Sequence, residues 1–320
     1  MKKTDVVALG ELLIDFTMNG ESSQGNPLME ANPGGAPCNV LSMLTKLGHS
    51  TDFIGKVGKD MFGEQLKNAV DEVGIGTTGL IMDPEALTTL AFVKTYPDGD
   101  RDFSFYRKPG ADMQLRADEI PEDLLKNCRI FHYGSLSMTD EECEGATRKA
   151  MDIAGASGAL LSFDPNLREP LWESLDKAKE KIAYGMSKAD ILKISDNEIT
   201  WFTGEEDYEA GVKKLREICP NLKLILVSLG PEGSMAFSNR AKACVKPFLN
   251  PNTIETTGAG DTFCACVLHY VLEHDGLDYE EEQLTEMLTF ANAAASLITT
   301  RKGALRVMPD RSEIEEMIKG

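Results

Sequence analysis

The stretch VVALGELLIDFTM, Val6 to Met18, decides the fold. Its first part, Val6–Leu9, is a short β-branched apolar run, the pattern of a strand buried on both faces of a parallel sheet. A crossover helix should follow such a strand. Instead, Leu12–Met18 carries on as a second extended run. The chain therefore holds two kinds of strand, one for a parallel core and one that lies outside it.

Outward from this stretch, the first kind recurs at Arg129–Tyr133, Ala159–Phe163, Ile191–Ile194 and Leu222–Leu229. Helical patterns lie between, at Phe62–Val73, Glu141–Ala154, Ser174–Tyr184 and Tyr208–Ile218. That alternation predicts an α/β fold: a doubly wound, mostly parallel sheet with helices on both faces. The second kind recurs at Thr88–Arg107, which reads as a hairpin turning at Pro97-Asp98-Gly99-Asp100. Extended segments without crossover helices predict a small antiparallel sheet projecting from the body as a lid. The expected division is a main domain of 1–11, 37–87 and 109–320, with a discontinuous β lid of 12–36 and 88–108.

Composition narrows the function. The chain has 320 residues, 42% hydrophobic and 27% charged, which excludes disorder, collagen-like repeats and a bare coiled coil. With 33 Lys and Arg against 52 Asp and Glu, the net charge is −19, which disfavours nucleic acid or an anionic membrane as a general partner. A small anionic ligand stays open where local dipoles or a few basic residues override that field. The seven cysteines are scattered without C-x-x-C spacing, as expected of reduced thiols in the cytosol. Asp5 and Glu11 interrupt any signal-peptide core, and Met287–Thr300 is too short and polar to span a bilayer. A soluble, cytoplasmic protein is the expectation.

Five segments carry chemistry. Glu255-Thr256-Thr257-Gly258-Ala259-Gly260-Asp261 precedes the apolar run TFCACVLHYVL, so a small-residue turn opens a long helix. Bare amides at a helix N-terminus form an anion site, and Asp261 in the first turn could take a proton from an acceptor hydroxyl. An ordinary capped helix is the plain alternative. Asn32-Pro33-Gly34-Gly35-Ala36-Pro37-Cys38-Asn39 leads into a second helix, with Pro37 suited to its start and Gly48 to its end. There Asn39 offers the donor and acceptor that sugar hydroxyls require; a tight turn before a helix explains the segment equally well.

Asp15 is an acid in an otherwise apolar run at the C-terminal end of the first strand, where open α/β sheets bind ligands. A solvated edge acid is its alternative. Ser162-Phe163-Asp164-Pro165-Asn166-Leu167-Arg168 ends another core strand, bringing the Arg168 fork to the same edge. Ser228-Leu229-Gly230-Pro231-Glu232-Gly233 leaves a strand through a glycine turn suited to a nucleotide, or to a plain hairpin.

Other matches are discarded. Gly74-x-Gly76-x-x-Gly79 follows a helix and precedes a strand, the reverse of a dinucleotide fingerprint. No P-loop and no protein-kinase motif set occurs. Cys264 and Cys266 face different sides of one helix, which suits packing. His269 and His274, five apart, have no ligand spacing and read as ordinary.

In this order the segments resemble the ribokinase-like sugar kinases of the PfkB family. The likeness runs from GELLIDF to TTRKGA (Thr299–Ala304), nearly the whole chain. GELLIDF, TLAFV, FSFYRKPGAD, HYGSLS and DPNLR together are most similar to bacterial fructokinases. The resemblance implies a ribokinase-like fold and a phosphotransferase with an alcohol acceptor, moving phosphate from MgATP to the fructose 6-hydroxyl. It implies Asp261 as base and Gly258, Ala259 and Gly260 as the anion hole. Asp15, Gly34, Gly35, Asn39, Phe105, Arg107 and Arg168 would hold the sugar. Lys193, Ser228, Gly230, Gly233 and Asn292 would contact ATP. Glu198 would organise Mg²⁺ through water, although Ser195 replaces the Asn of the family's N-x-x-E motif. Glu255, replacing the family's Asp, and Thr257 would shape a loop for a monovalent cation, potassium.

The near alternative is a 2-keto-3-deoxygluconate kinase or another sugar kinase of the family. Ala91, where acid-sugar relatives often carry a lid tyrosine, favours a neutral sugar. The alternative from another class is a catalytically silent sugar- or nucleotide-binding regulator. Leu90, Phe92, Phe103 and Phe105 would allow a homodimer through the lid, as in many family members; a lid packed on its own body is the other reading.

Overall fold

The computed structural model describes residues 4–95 and 101–320. From β1 (Thr4–Leu9) the chain runs into β2 (Leu13–Glu21) and β3 (Pro27–Gly34). It continues through α1 (Ala36–Lys46), β4 (Thr51–Gly58), α2 (Met61–Glu72) and β5 (Gly76–Asp83). Two more extended strands follow, β6 (Leu90–Thr95) and β7 (Arg101–Tyr106). Strand and helix then alternate: α3 (Glu122–Lys126), β8 (Cys128–Gly134), α4 (Glu141–Ala156), β9 (Leu160–Asp164), α5 (Leu175–Lys188) and β10 (Ile191–Ser195). After α6 (Asp196–Thr203), α7 (Tyr208–Ile218) and β11 (Leu224–Ser228) comes a hairpin of β12 (Ser234–Phe237) and β13 (Lys242–Val245). The chain closes with α8 (Ala259–Glu273), α9 (Glu281–Ile298) and α10 (Arg311–Lys319).

The large sheet has nine strands in the order β13-β12-β11-β10-β9-β8-β1-β4-β5. From β5 to β11 every pairing is parallel; β12 and β13 add an antiparallel edge. Alternate residues of one strand enter opposite cores. Val6 and Ala8 join the layer of α1, α8 and α9, whereas Val7 and Leu9 join the layer of α4 and α5. Leu224 and Leu226 separate from Ile225 and Val227 in the same way. Burial on both faces is why these strands read as unbroken apolar runs. The β4 strand, TDFIGKVG, escapes that reading because it carries Asp52 and Lys56. The buried Lys56 is satisfied by Glu119 at 2.8 Å and Asp83 at 3.3 Å.

The small sheet has the order β3-β2-β6-β7. Its two hairpins are antiparallel, but β2 and β6 pair parallel, so the lid is mixed and not antiparallel throughout. The cause is topological: β1 and β5, parallel members of the large sheet, each lead into a lid strand, so β2 and β6 leave in the same direction. The expected turn at Pro97–Asp100 lies outside the described residues. One aromatic chain fastens the lid to the body. Phe92 stacks on Phe16 at 4.8 Å, and Phe16 meets Phe62 of α2 edge-on at 5.6 Å.

Helix α8 is buried along nearly its whole length, including Cys264 and Cys266, between the sheet, α1 and α9. From β1 the chain winds first to one side, through β4 to β5, and later to the other, from β8 to β11, so the winding reverses at β1. Ligands bind at such a reversal, beyond the carboxyl ends of the strands. No helix among the described residues is long and apolar enough to cross a membrane.

Candidate active site

Two helix N-termini meet at that edge. The first, α1, begins at Gly35 with φ of 133°, and a Cβ there would lie 2.4 Å from the Glu11 carbonyl oxygen. Only glycine lets the chain turn this close to the loop after β1. The Ala36 amide donates to Glu11 Oε1 at 2.9 Å. One turn later Asn39 Nδ2 donates to Asp261 Oδ2 at 2.8 Å, while Asn39 Oδ1 is buried without a partner.

The second, α8, begins at Gly258 with φ of 75°, where a Cβ would lie 2.6 Å from Ala304 Cβ. Asp261 stands in its first turn. The amide of Ala259 is taken by the Thr256 carbonyl at 3.2 Å, so the expected anion hole reduces to the amides beside it. A Cβ on Gly260 would lie 3.2 Å from Lys193 Nζ, so that ammonium sits against the turn. Asp164 Oδ2 holds it at 3.0 Å and keeps it charged despite burial.

These groups surround one cavity of about 650 Å³. Asp15, Gly34, Gly35, Asn39 and Phe105 line it from the lid and α1. Arg168, Lys193, Glu255, Thr257, Gly258, Gly260 and Asp261 line it from the body. Asp15 belongs to the lid strand β2 and not to the end of β1. It pairs with Ala91, which pairs with Phe105, so the three stand side by side on one lid face.

Burial pushes the Asp15 carboxyl up to about 7; Arg168 pulls it down, while Asp261 and Glu255 push it further up. Asp261 is likewise raised by burial, against Asn39, Lys193 and Arg168. A carboxylate, two cations and helix-end amides thus face one hollow. Such a set can take a proton from a hydroxyl while stabilising charge on a transferred anion.

Other expected residues lie elsewhere. Arg107 does not cover the cavity. It is 4% exposed, and its guanidinium donates to Asp112 at 2.7 Å, Thr139 Oγ1 at 2.8 Å and the Leu136 carbonyl at 2.9 Å. Asn292 ties strands to helix, accepting from Ser234 Oγ at 2.8 Å and donating to the Val245 and Lys246 carbonyls at 3.2 Å. Ser228, Gly230 and Gly233 form the β11–β12 hairpin turn, outside the cavity lining. Glu198 caps α6, accepting from the Ser195 amide and hydroxyl and, at 2.7 Å, from the Leu167 amide. Ser195 is spent on that cap. Glu255 Oε1 accepts the Gly303 amide at 2.7 Å, joining two loops.

Three of the lining residues that were not singled out from the sequence stand out in the structure. Glu11 is buried and pushed up to about 7 by that burial, and it anchors the Gly35 turn. Asn166 adopts φ of 43°, a left-handed backbone uncommon for a side-chain-bearing residue. Lys302 lies on the 299–303 loop, with Asn19 Oδ1 at 3.2 Å. The acid that follows Gly10 in GELLID, four positions before Asp15, was the available signal for Glu11. Neither of the others had one beyond its motif.

Comparison with known proteins agrees with this geometry. The chain is 40% identical over 323 residues to "Probable fructokinase-4" of Arabidopsis thaliana, covering 100% of this chain and 98% of the relative. Fructokinase-2 of Solanum lycopersicum is 41% identical over 319 residues, covering 98% and 96%. Among solved structures, fructokinase with bound ATP from Xylella fastidiosa superposes with a TM-score of 0.90 at 31% identity, covering 100% and 99%. Fructokinase from Vibrio cholerae O395 in a fructose, ADP and calcium ion bound form gives 0.87 at 26%, covering 99% and 100%. The profile of the pfkB family carbohydrate kinases matches residues 3–311, and with an aspartate, an asparagine and a glycine turn converging on one hollow at the sheet edge, the chain belongs to that family of phosphotransferases.

Proposed function

We propose that the protein is an ATP-dependent fructokinase, transferring phosphate to the 6-hydroxyl of D-fructose. The observation that carries the reading is Asn39: it orients Asp261 with its amide while its own buried oxygen lacks a partner, which a sugar hydroxyl supplies. In the reaction the 6-hydroxyl oxygen attacks the γ-phosphorus, its proton passes to the Asp261 carboxylate, and the bond to the ADP oxygen breaks. Amides at the start of α8 and the Lys193 ammonium stabilise the charge on the moving phosphoryl group. Asp15, Gly34, Gly35 and Arg168 position the sugar, and Phe105 covers it.

The hairpin turn of Ser228, Gly230 and Gly233 is assigned to the nucleotide through its backbone. Magnesium would neutralise the phosphate charge. Three of the four lone pairs on Glu198 are occupied, which leaves one for a metal-bound water and fits a hydrated ion held mainly by phosphates. A potassium ion beside Glu255 and Thr257 belongs to the same proposal, supported by the two loops that Glu255 already joins. Equal turnover with potassium or tetramethylammonium would remove it.

Ala91 supports a neutral sugar over a keto-acid. It stands between two cavity-lining residues, and it brings no hydroxyl toward a carboxylate. The proposed division is a body of 1–11, 37–87 and 109–320 closed by a lid of 12–36 and 88–108. Exposed Met18 and Leu28 on the lid strands support a homodimer through it, which light scattering reads directly. Cysteines scattered without C-x-x-C spacing, six of the seven buried, support a cytoplasmic location, read by cell fractionation.

A coupled ADP-release assay across fructose, ketodeoxygluconate, ribose, mannose and adenosine tests the function. Fructose should give the highest kcat/KM. Preference for ketodeoxygluconate would select the near alternative, and binding of both ligands without ADP release would select the silent regulator.

A further inference from the structure

Helices α1 and α8 begin side by side at the cavity, where Asn39 and Asp261 join them, and they are joined again at their far ends. There His49, just past the Gly48 turn that ends α1, places Nε2 2.7 Å from Nδ1 of His269 on α8. Glu273, one turn beyond His269 on α8, adds a carboxylate, and the three ligand atoms all lie within 4.8 Å of one another. Among the described residues no other set of three His, Cys, Asp or Glu side chains comes this close.

We propose that this far end is a divalent transition-metal site, with His49 Nε2, His269 Nδ1 and the Glu273 carboxylate as its protein ligands and solvent in the remaining position. Two imidazoles and a carboxylate suit zinc- or cobalt-class ions and not the all-oxygen preference of magnesium, so the site is separate from the nucleotide metal. Ligand atoms of a tetrahedral zinc at about 2.0–2.1 Å lie about 3.3 Å apart, so the rings separate by roughly 0.6 Å on loading. The proton now shared between them moves to the other nitrogen of its own ring, leaving both facing nitrogens as acceptors. Burial pushes the titration of both rings down, toward the neutral form that binds a metal.

The charged surroundings are mixed. Asp5 faces His49 from β1 and is bound to Ser50 and to Arg129, which also lies near His49. Arg311 on α10 and His274 lie near His269, and His274 is held against the Tyr270 carbonyl. Glu273 is exposed and gives the ion its route from solvent. The −19 charge of the whole chain favours cations further.

The test is a cobalt(II) titration of the full, tag-free protein, stripped with chelator and without nucleotide. Ligand-field absorption and melting temperature are read together. The expected result is saturation at one equivalent, a visible band, and a melting temperature that climbs with cobalt concentration. His49→Ala and His269→Ala should lose both signals. Glu273→Gln, at an exposed position that cannot upset the core, should weaken binding by more than about tenfold. Cys244→Ser, which removes the exposed thiol, should retain both. His49→Ala should keep its basal turnover with MgATP. No saturable band in the wild-type chain, or an equal band in His49→Ala and Glu273→Gln, would overturn the site and reduce the contact to a histidine–histidine hydrogen bond.

Discussion

The sugar side and the nucleotide side of the proposed site are built on different plans. On the sugar side the polar side chains face the hollow: Asp15 and Asp261 share it, and Asn39 keeps an unpartnered oxygen. On the nucleotide side they are spent on one another. Ser234, Asn292 and the Val245 and Lys246 carbonyls close a partly buried network behind the β11–β12 turn, leaving the main chain of an exposed turn at the front. The contrast teaches that one ligand is read by side chains and the other by the shape of a backbone. Charges that face a hollow are costly to keep, as the raised carboxyl of Asp15 shows.

The largest expected effect breaks the sugar side at its base. Asp261→Asn should lower kcat by roughly 10²-fold or more with circular dichroism and melting temperature held. Near-normal turnover would remove Asp261 from the chemistry. Next, Asp15→Asn should lower kcat/KM for fructose by about 10–10²-fold, the loss of one or two charge-assisted hydrogen bonds, with KM for ATP little changed. An equal loss for both substrates would erase the distinction between the two sides.

A smaller change comes from the nucleotide side. Asn292→Ala should cost about 1–3 kcal/mol of stability, read by denaturant titration, because it leaves a buried hydroxyl and two carbonyls short of partners. A selective loss of ATP affinity at unchanged stability would return Asn292 to direct contact. The smallest effect sharpens the cost of facing charge inward. With its carboxyl raised to about 7, folded Asp15 holds a proton that the unfolded chain has released above about pH 4. Its contribution therefore favours folding at low pH and is lost as pH rises to 7. Asp15→Asn should melt above the wild type at pH 8, with the gap closing toward pH 4. A constant gap across that range would contradict the shift.

Much of this was legible along the chain because it is local. Leucine, isoleucine and valine runs marked five of the core strands within one or two residues, while the buried β4, with its Asp52 and Lys56, went unmarked. Ser174 and Asp207, whose side chains cap α5 and α7, stand at the starts the pattern gave. Glycine turns before α1 and α8 were visible because positive φ and close approach demand that residue. The availability of a polar group was not legible. Arg107 and Asn292 look as suited to a ligand as Arg168 and Asn39, and they differ only in what surrounds them.

By itself, then, the sequence determined the alternating core, the two extended excursions and the glycine-opened helices, each fixed by periodicity or backbone conformation over a few residues. Tertiary structure alone decided the parallel pairing of β2 with β6, the meeting of Asn39 with Asp261 across 222 positions, and the pairing of His49 with His269 across 220. The physical reason is that a side chain's charge state and free hydrogen-bonding capacity depend on its neighbours in space, which no local window contains.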